Sequence, residues 1–245
     1  MKVLILAAGY GTRLYALGKD TPKALLRIND RPLVDYILDR VKDISGLDEL
    51  ILVTNEKFYS VFQKWADDQR AFPHAIRIIN DGTKTPEERL GSIGDIEFAL
   101  KDAQVNDDVL VVGGDNLFDY NISEFIKFAR TKSPSVSIGL YDIGDLKEAT
   151  KFGIAALDKE AKVVSFEEKP EKPPSTLVAM CFYFLPRNSL GLLNEYLIES
   201  EKSDTSGDYI RWLYQKHSVY GFQFTGKWYD IGSVEAYQEA QRKFK

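Results

Sequence analysis

Cysteine and histidine are nearly missing from this chain of 245 residues, which holds one of the first and two of the second. Cys181 has no partner for an internal disulfide, which points to a reducing compartment. It reads as a small buried apolar residue rather than a reactive thiol. With only His74 and His217, far apart in sequence, a histidine-rich zinc site lacks its ligands and a Ser-His-Asp hydrolase has few candidates. Long apolar runs are missing as well. The first run, Val3 to Ala8, is too short for a membrane span and carries no signal-peptide cleavage region, so a cytoplasmic protein with no membrane partner is expected. Excess positive charge is also absent: the net charge of −5 argues against a nucleic-acid partner, which needs an extended basic face. Small anionic substrates remain compatible, because the field in one pocket can oppose the sign of the whole surface.

What is present is an ordinary globular composition, 44% apolar and 28% charged, on a chain long enough for one large core or a core plus a satellite lobe. Apolar periodicity predicts strands at Lys2–Ala7, Glu49–Thr54, Ala75–Ile79, Val109–Val112 and Ser135–Tyr141. Between them, helical spacing runs from Leu33 to Ile44, Phe58 to Ala66, Ile93 to Ala103 and Ile122 to Ala129. Strand and helix in turn imply right-handed crossovers and an α/β fold, a Rossmann-like three-layer sandwich with a mostly parallel mixed sheet. Beyond about Gly139 the texture changes. Phe152–Leu157, Val163–Glu167 and Leu177–Phe184 predict a small β-rich insertion, followed by helices at Ser189–Ser200 and Asp208–Gln215, a strand at Val219–Thr225 and a last helix at Val234–Phe244. Glu199–Gly207 reads as a loop.

Two turns carry the chemistry. Gly9-Tyr10-Gly11-Thr12-Arg13 follows the first strand directly, and glycines there let backbone N–H groups approach a phosphate closely. Alone the signal is weak, because a tight strand-to-helix turn needs the same glycines. A dinucleotide-binding turn would place its third glycine at Leu14, and no Gly-Lys-Ser/Thr follows for a P-loop. Arg13 and Pro22-Lys23 add fixed positive charge to the same turn. The second turn, Gly113-Gly114-Asp115-Asn116, also follows a strand, so both turns can face one crevice at the strands' carboxyl ends. Asp115 would emerge into that crevice, or else simply cap the turn. Pro170 disfavours helix at Lys169 and predicts an extended backbone for it.

Leu6-Ala7-Ala8-Gly9-Tyr10-Gly11-Thr12-Arg13-Leu14 followed by Thr21-Pro22-Lys23-Ala24-Leu25-Leu26 closely resembles the opening of sugar-1-phosphate nucleotidylyltransferases. That family includes glucose-1-phosphate thymidylyl- and uridylyltransferases and mannose-1-phosphate guanylyltransferases. Leu90-Gly91-Ser92-Ile93-Gly94 is similar to its base-binding turn, and Gly114-Asp115-Asn116-x-Phe118 to its metal-binding turn. Phe152-Gly153, Glu167-Glu168-Lys169-Pro170 and Trp228-Tyr229-Asp230-Ile231-Gly232-Ser233 resemble its sugar, phosphate and second metal segments. Several ordered matches say far more than any single one.

The resemblance implies one domain over 1–245, with a nucleotide-binding half to about 140 and a sugar-binding half from about 141. It implies transfer of a nucleotidyl group from a nucleoside triphosphate to a sugar 1-phosphate, with glucose 1-phosphate and dTTP or UTP as the first expectation. Another sugar or polyol phosphate with CTP or GTP, a nucleotide-sensing regulatory subunit and a nicotinamide-dependent reductase are the alternatives. By resemblance Arg13, Lys23 and Asp115 are catalytic, while Leu6, Ala7, Ala8, Gly9, Gly11, Thr12, Gly91 and Gly94 join Arg13 and Lys23 around the nucleotide. Asn116, Gly153, Glu168 and Lys169 meet the sugar phosphate, and Asp115 with Asp230 holds Mg2+, whose oxygen shell the substrates' phosphates and water complete. Related enzymes often form homo-oligomers, which is expected here too. The chain's end soon after the last motif suggests a stand-alone transferase. One stretch departs from the pattern: Met180 stands where a glycine is usual and Val178 where a polar side chain is, predicting a bulkier, drier wall to the sugar pocket.

Overall fold

Parallel strands covered by helices on both faces read as unbroken apolar runs, and the centre of this sheet is built from such runs. In order the chain forms β1 (Lys2–Leu6), β2 (Arg27–Ile28), β3 (Arg31–Pro32), α1 (Leu33–Val41), β4 (Glu49–Thr54), α2 (Tyr59–Asp68), β5 (Ala75–Asn80), α3 (Gly91–Asp102), β6 (Val109–Gly113), β7 (Asn116–Phe118) and α4 (Ser123–Lys132). There follow β8 (Val136–Asp142), α5 (Leu146–Ala149), β9 (Gly153–Leu157), β10 (Val163–Glu168), β11 (Leu177–Leu185), α6 (Gly191–Glu199), α7 (Ser206–Lys216), β12 (Val219–Phe224), β13 (Trp228–Asp230) and α8 (Val234–Lys243). The structure, a computed structural model, describes residues 1–18, 20–200 and 205–244, apart from the side chain of Tyr15. The loop expected over 199–207 falls in part on 201–204, outside the described residues, and its last two residues open α7 instead.

β1 lies between β4 and β6, parallel to both, with Leu6 opposite Val53 and Gly113. β5 continues beyond β4 in parallel, and β11 runs antiparallel beside β6. β8 and β12 extend the sheet past β11. The β-rich segment therefore divides. β11, apolar over Leu177–Leu185, runs through the sheet centre, while β9 and β10 form an antiparallel ribbon joined to it at Val178 and Ile154.

Alternation of side chains along the strands splits the core into two layers. Val3, Ile5, Leu50, Leu52, Leu110 and Val112 face α1, α2 and α4, whereas Leu4, Ile51, Val53, Val109 and Val111 face α3, α6 and α7. A third, small cluster (Ile28, Leu33, Leu117, Ile231, Ala240, Phe244) seats α8 against the β2–β3 hairpin and the β7–β13 ribbon. The hairpin turn itself uses Asn29 and Asp30, both at positive φ, as a two-residue turn matching strand twist requires. No helix among the described residues is long and apolar enough to cross a membrane.

Phe182 lies at the middle of an aromatic group, its ring 5.1 Å from Phe118, 6.1 Å from Phe125 and 5.6 Å from Phe224. Phe182→Ala is expected to cost about 3–5 kcal/mol through lost burial and the void left behind. Urea unfolding checks this, and an unchanged midpoint would contradict the packing.

Candidate active site

The strand ends converge because β6 must pass very close to β1. A Cβ at Gly114 would stand 2.7 Å from the Leu6 carbonyl oxygen and 3.3 Å from the Cβ of Ala24, so only glycine lets the three segments meet. Gly114 N donates to Leu6 O at 2.9 Å, and the next residue, Asp115, is delivered into the cleft. Ala24 belongs to the short 310 turn Lys23–Leu25, which brings the Lys23 ammonium 2.7 Å from Asp115 Oδ2. Asp230 arrives from the other end of the chain through the β7–β13 ribbon, in which it pairs with Asn116, and Ile231 N donates to Asp115 O at 2.9 Å.

The electrostatics of this group are uneven. Burial opposes the charge of Lys23, but Asp115 and Asp230 outweigh it and hold its pKa above the ordinary value. Burial likewise raises Asp115, yet Lys23 overcomes it and the carboxyl ends below its usual range. Among the described residues Asp230 has no such direct partner. Burial first, then the charge of Asp115, pushes it up to about 7 against the pull of Lys23, Arg13 and Lys169. Among the described residues no three acidic, histidine or cysteine side chains are grouped to hold a metal ion. The donor set is thus two hard carboxylates with one incompletely balanced charge, which suits a divalent cation that takes further oxygens from a ligand.

These residues open onto a cleft of about 690 Å3. Of the residues singled out from sequence, Leu6, Arg13, Asp115, Asn116, Gly153, Glu168, Lys169 and Asp230 line it. Lys23 joins through its ion pair with Asp115. Ala7, Ala8, Gly9, Gly11 and Thr12 lie on the turn between Leu6 and Arg13, outside the cleft wall, and Gly91 and Gly94 flank Ser92, which does line it. A Cβ at Gly9 would meet nothing within 4 Å, so that face of the turn is open to a ligand, whereas Gly11 is needed for its φ of +62°. The Asn116 amide bridges two neighbours: its oxygen accepts from Trp228 Nε1 at 2.7 Å and its nitrogen donates to Asp115 Oδ1 at 3.0 Å. One N–H of that amide remains for a ligand.

Three expectations are corrected. Lys169 is not extended: its φ is +47°, in the left-handed region. Its N–H closes the β9–β10 ladder on Phe152 O at 3.1 Å, and this pairing offsets a strain of about 1–3 kcal/mol. Its ammonium lies 3.3 Å from Glu168 Oε1. Val178 and Met180 do not wall the cleft. Both are buried on the opposite face of β11, where Met180 Sδ accepts from Tyr120 OH, and the alternate residues Ala179, Cys181 and Tyr183 face the cleft instead. Cys181 is consequently only half-buried rather than a core residue, although burial and then Asp115 raise its pKa and keep it a thiol.

Sequence reasoning missed the supports of the first turn. Tyr10 OH donates to Thr83 Oγ1 at 3.2 Å, and Thr83 gives both its N–H and its hydroxyl to Asp81 Oδ1 at 2.7 Å. Asn55 Nδ2 holds Ala8 O at 2.8 Å. These polar residues follow the ends of β4 and β5 and carry no local motif; only their position after strands whose neighbour bears the turn could have marked them. The loss of Trp228 as a site residue is similar, for an aromatic in a strand reads first as core.

Asp81 is buried beside Asp95, and burial raises its pKa despite the bonds from Thr83 and Asp95. A carboxyl raised on folding stabilises the native state below its unfolded pKa of about 3.9 and loses that contribution as pH rises through the native value. Asp81→Asn is therefore expected to raise Tm relative to the unsubstituted protein at pH 8 more than at pH 4. Thermal melts at the two pH values check it; an equal shift at both would contradict the burial of a charge there.

Comparison with known proteins gives the family and the fold. A family model described as nucleotidyl transferase matches residues 2–245. The bifunctional protein GlmU of Methanocaldococcus jannaschii is 25% identical over 232 residues, covering 95% of this chain and 51% of that protein. A glucose-1-phosphate adenylyltransferase of Thermosipho africanus is 27% identical over 254 residues, 97% of this chain and 60% of that one. The UTP–glucose-1-phosphate uridylyltransferase AglF of Haloferax volcanii is 27% identical over 183 residues, 75% and 71% of the two chains. The chain thus spans 51% and 60% of the length of the first two relatives. The crystal structure of a UDP-glucose pyrophosphorylase complexed with UDP-glucose has the same fold, with a TM-score of 0.82 at 22% identity over 99% of this chain and 97% of that one. With the match running from Lys2 to Lys245, this chain belongs to the nucleotidyl transferase family.

Proposed function

We propose that the protein transfers a nucleotidyl group from a nucleoside triphosphate to a sugar 1-phosphate, releasing pyrophosphate. The observation that carries this reading is the meeting of Arg13, Lys23, Asp115, Glu168, Lys169 and Asp230, drawn from separate segments, at one cleft. Glucose 1-phosphate with dTTP or UTP is the proposed pair, supported by the uridylyltransferase relative and by the UDP-glucose pyrophosphorylase fold.

The reaction needs no catalytic base. A phosphate monoester has its second pKa near ~6, so at neutral pH it is mostly a dianion and already a nucleophile. That agrees with a cleft whose lining contains no histidine among the described residues. One oxygen of the sugar phosphate attacks the α-phosphorus, the bond from α-phosphorus to the bridging oxygen breaks, and pyrophosphate leaves in line. The barrier is repulsion between two polyanions and their alignment. Arg13 would draw the departing pyrophosphate, Lys23 the α-phosphate and Lys169 the sugar's phosphate, while Glu168 would accept hydrogen bonds from sugar hydroxyls. Asp115 and Asp230 would hold Mg2+, which when bound supplies positive charge to phosphate oxygens. Asn116 and Trp228 keep the Asp115 carboxylate oriented.

Pyrophosphate release measured over a matrix of nucleoside triphosphates and sugar 1-phosphates tests the reading, and no release from any pair would overturn it. Arg13→Ala and Asp115→Asn are each expected to lower kcat by about a hundredfold or more, the scale for losing one electrostatic stabiliser. Near-normal turnover in either variant would remove that residue from its role. For Lys169→Ala a different outcome is expected: KM for the sugar phosphate rises well beyond any change in KM for the nucleotide. Equal weakening of both would move Lys169 away from the sugar phosphate.

A further inference from the structure

Glu168 ends β10 opposite Gly153, and its side chain is only 15% exposed. A Cβ at Gly153 would meet the Phe166 ring and stand 2.9 Å from Glu168 Oε2. At Gly207, in the first turn of α7, a Cβ would overlap the same carboxylate outright. Oε2 thus lies in a slot between two glycine backbones, while Oε1 faces the Lys169 ammonium at 3.3 Å.

Gly207 needs a reason of this kind. Its φ is not positive, so its backbone is one that any residue adopts. Glycine in a helix is less favourable than alanine. The turn it sits in is otherwise well made: Thr205 Oγ1 caps it by accepting from Asp208 N at 3.2 Å and donates to Asp208 Oδ2 at 2.7 Å. Ser206, Gly207 and the buried Tyr183 of β11 all line the cleft beside Glu168.

We propose that Gly207 is a positioning residue for sugar recognition. By carrying no side chain it lets the Glu168 carboxylate lie against the first turn of α7, whose shape the Thr205–Asp208 cap fixes. Any side chain at 207 drives the carboxylate out of its slot and off the hydroxyls it would accept from. This role rests on the sugar-1-phosphate reading above, but the contact behind it does not.

A double-mutant cycle over Gly207→Ala and Glu168→Ala separates the two. With Glu168 in place, Gly207→Ala is expected to raise Tm less than it does without Glu168, because the carboxylate must first swing aside. In the Glu168→Ala background the same change is expected to raise Tm. A shift of the same sign and size in both backgrounds would overturn the inference whatever the activity. In turnover, Gly207→Ala should raise KM for the sugar phosphate about tenfold with KM for the nucleotide nearly constant, and should add almost nothing to Glu168→Ala. Additive losses, or an equal rise in both KM values, would also overturn it. Absence of pyrophosphate release from the unsubstituted protein would strike the function instead, and the Tm cycle would still decide the contact.

Discussion

Two carboxylates and one ammonium, brought together at the ends of the central strands, constrain everything around them. Like charges in a half-buried place repel, and Lys23 pairs directly with only one of them: Asp115 takes it at 2.7 Å, while Asp230 is left with a pKa pushed up to about 7. The fold must supply rigid backbone to hold such an arrangement against its own repulsion. It does so on two sides. Gly114 lets β6 lean on the Leu6 carbonyl and on Ala24, and the β7–β13 ribbon pins Asp230 opposite Asn116. The third small core then becomes intelligible as an anchor, for Leu117 and Ile231 lie next to the ribbon residues they stabilise and draw α8 over them.

Much of the architecture was legible because it depends on periodicity. The apolar run Glu49–Thr54 and the spacing from Leu33 to Val41 state their own structure, and the observed elements follow them closely. Short elements were not legible. β7, β13 and the β2–β3 hairpin have two or three residues each, too few to show a period, and they exist because distant segments pair. Lys169 illustrates the same limit for conformation. A following proline biases the backbone locally toward extension, but closure of the β9–β10 ladder on Phe152 decides the matter.

Within the site, charged residues in motifs were legible and the faces of strands were not. β11 is apolar on both sides, so its alternation carries no label saying which side meets the cleft. Val178 and Met180 turn inward, and small Ala179 and Cys181 form the wall, so the pocket is roomier on this side than the bulk of methionine suggested. The supports of the glycine turn, Thr83 and Asp81 under Tyr10, were hidden for a related reason: hydrogen bonds between strand ends leave no spacing rule in the chain.

A further regularity concerns what is left out of the site. Gly114 makes room for a carbonyl, Gly113 for the Asn116 and Asp115 side chains, Gly153 for the Phe166 ring and the Glu168 carboxylate, and Gly207 for that carboxylate. Each lies in a strand, just after one, or in a helix, where glycine weakens the element. Charged groups can be aimed only if something stiff stands close behind them, and the stiffest thing available is backbone. Glycine at 113, 153 and 207 brings backbone within contact of the carboxylates, exchanging local stability for a fixed direction. The cleft is therefore shaped as much by missing side chains as by the charged ones, and the stability given up is recovered in the two large cores beneath it.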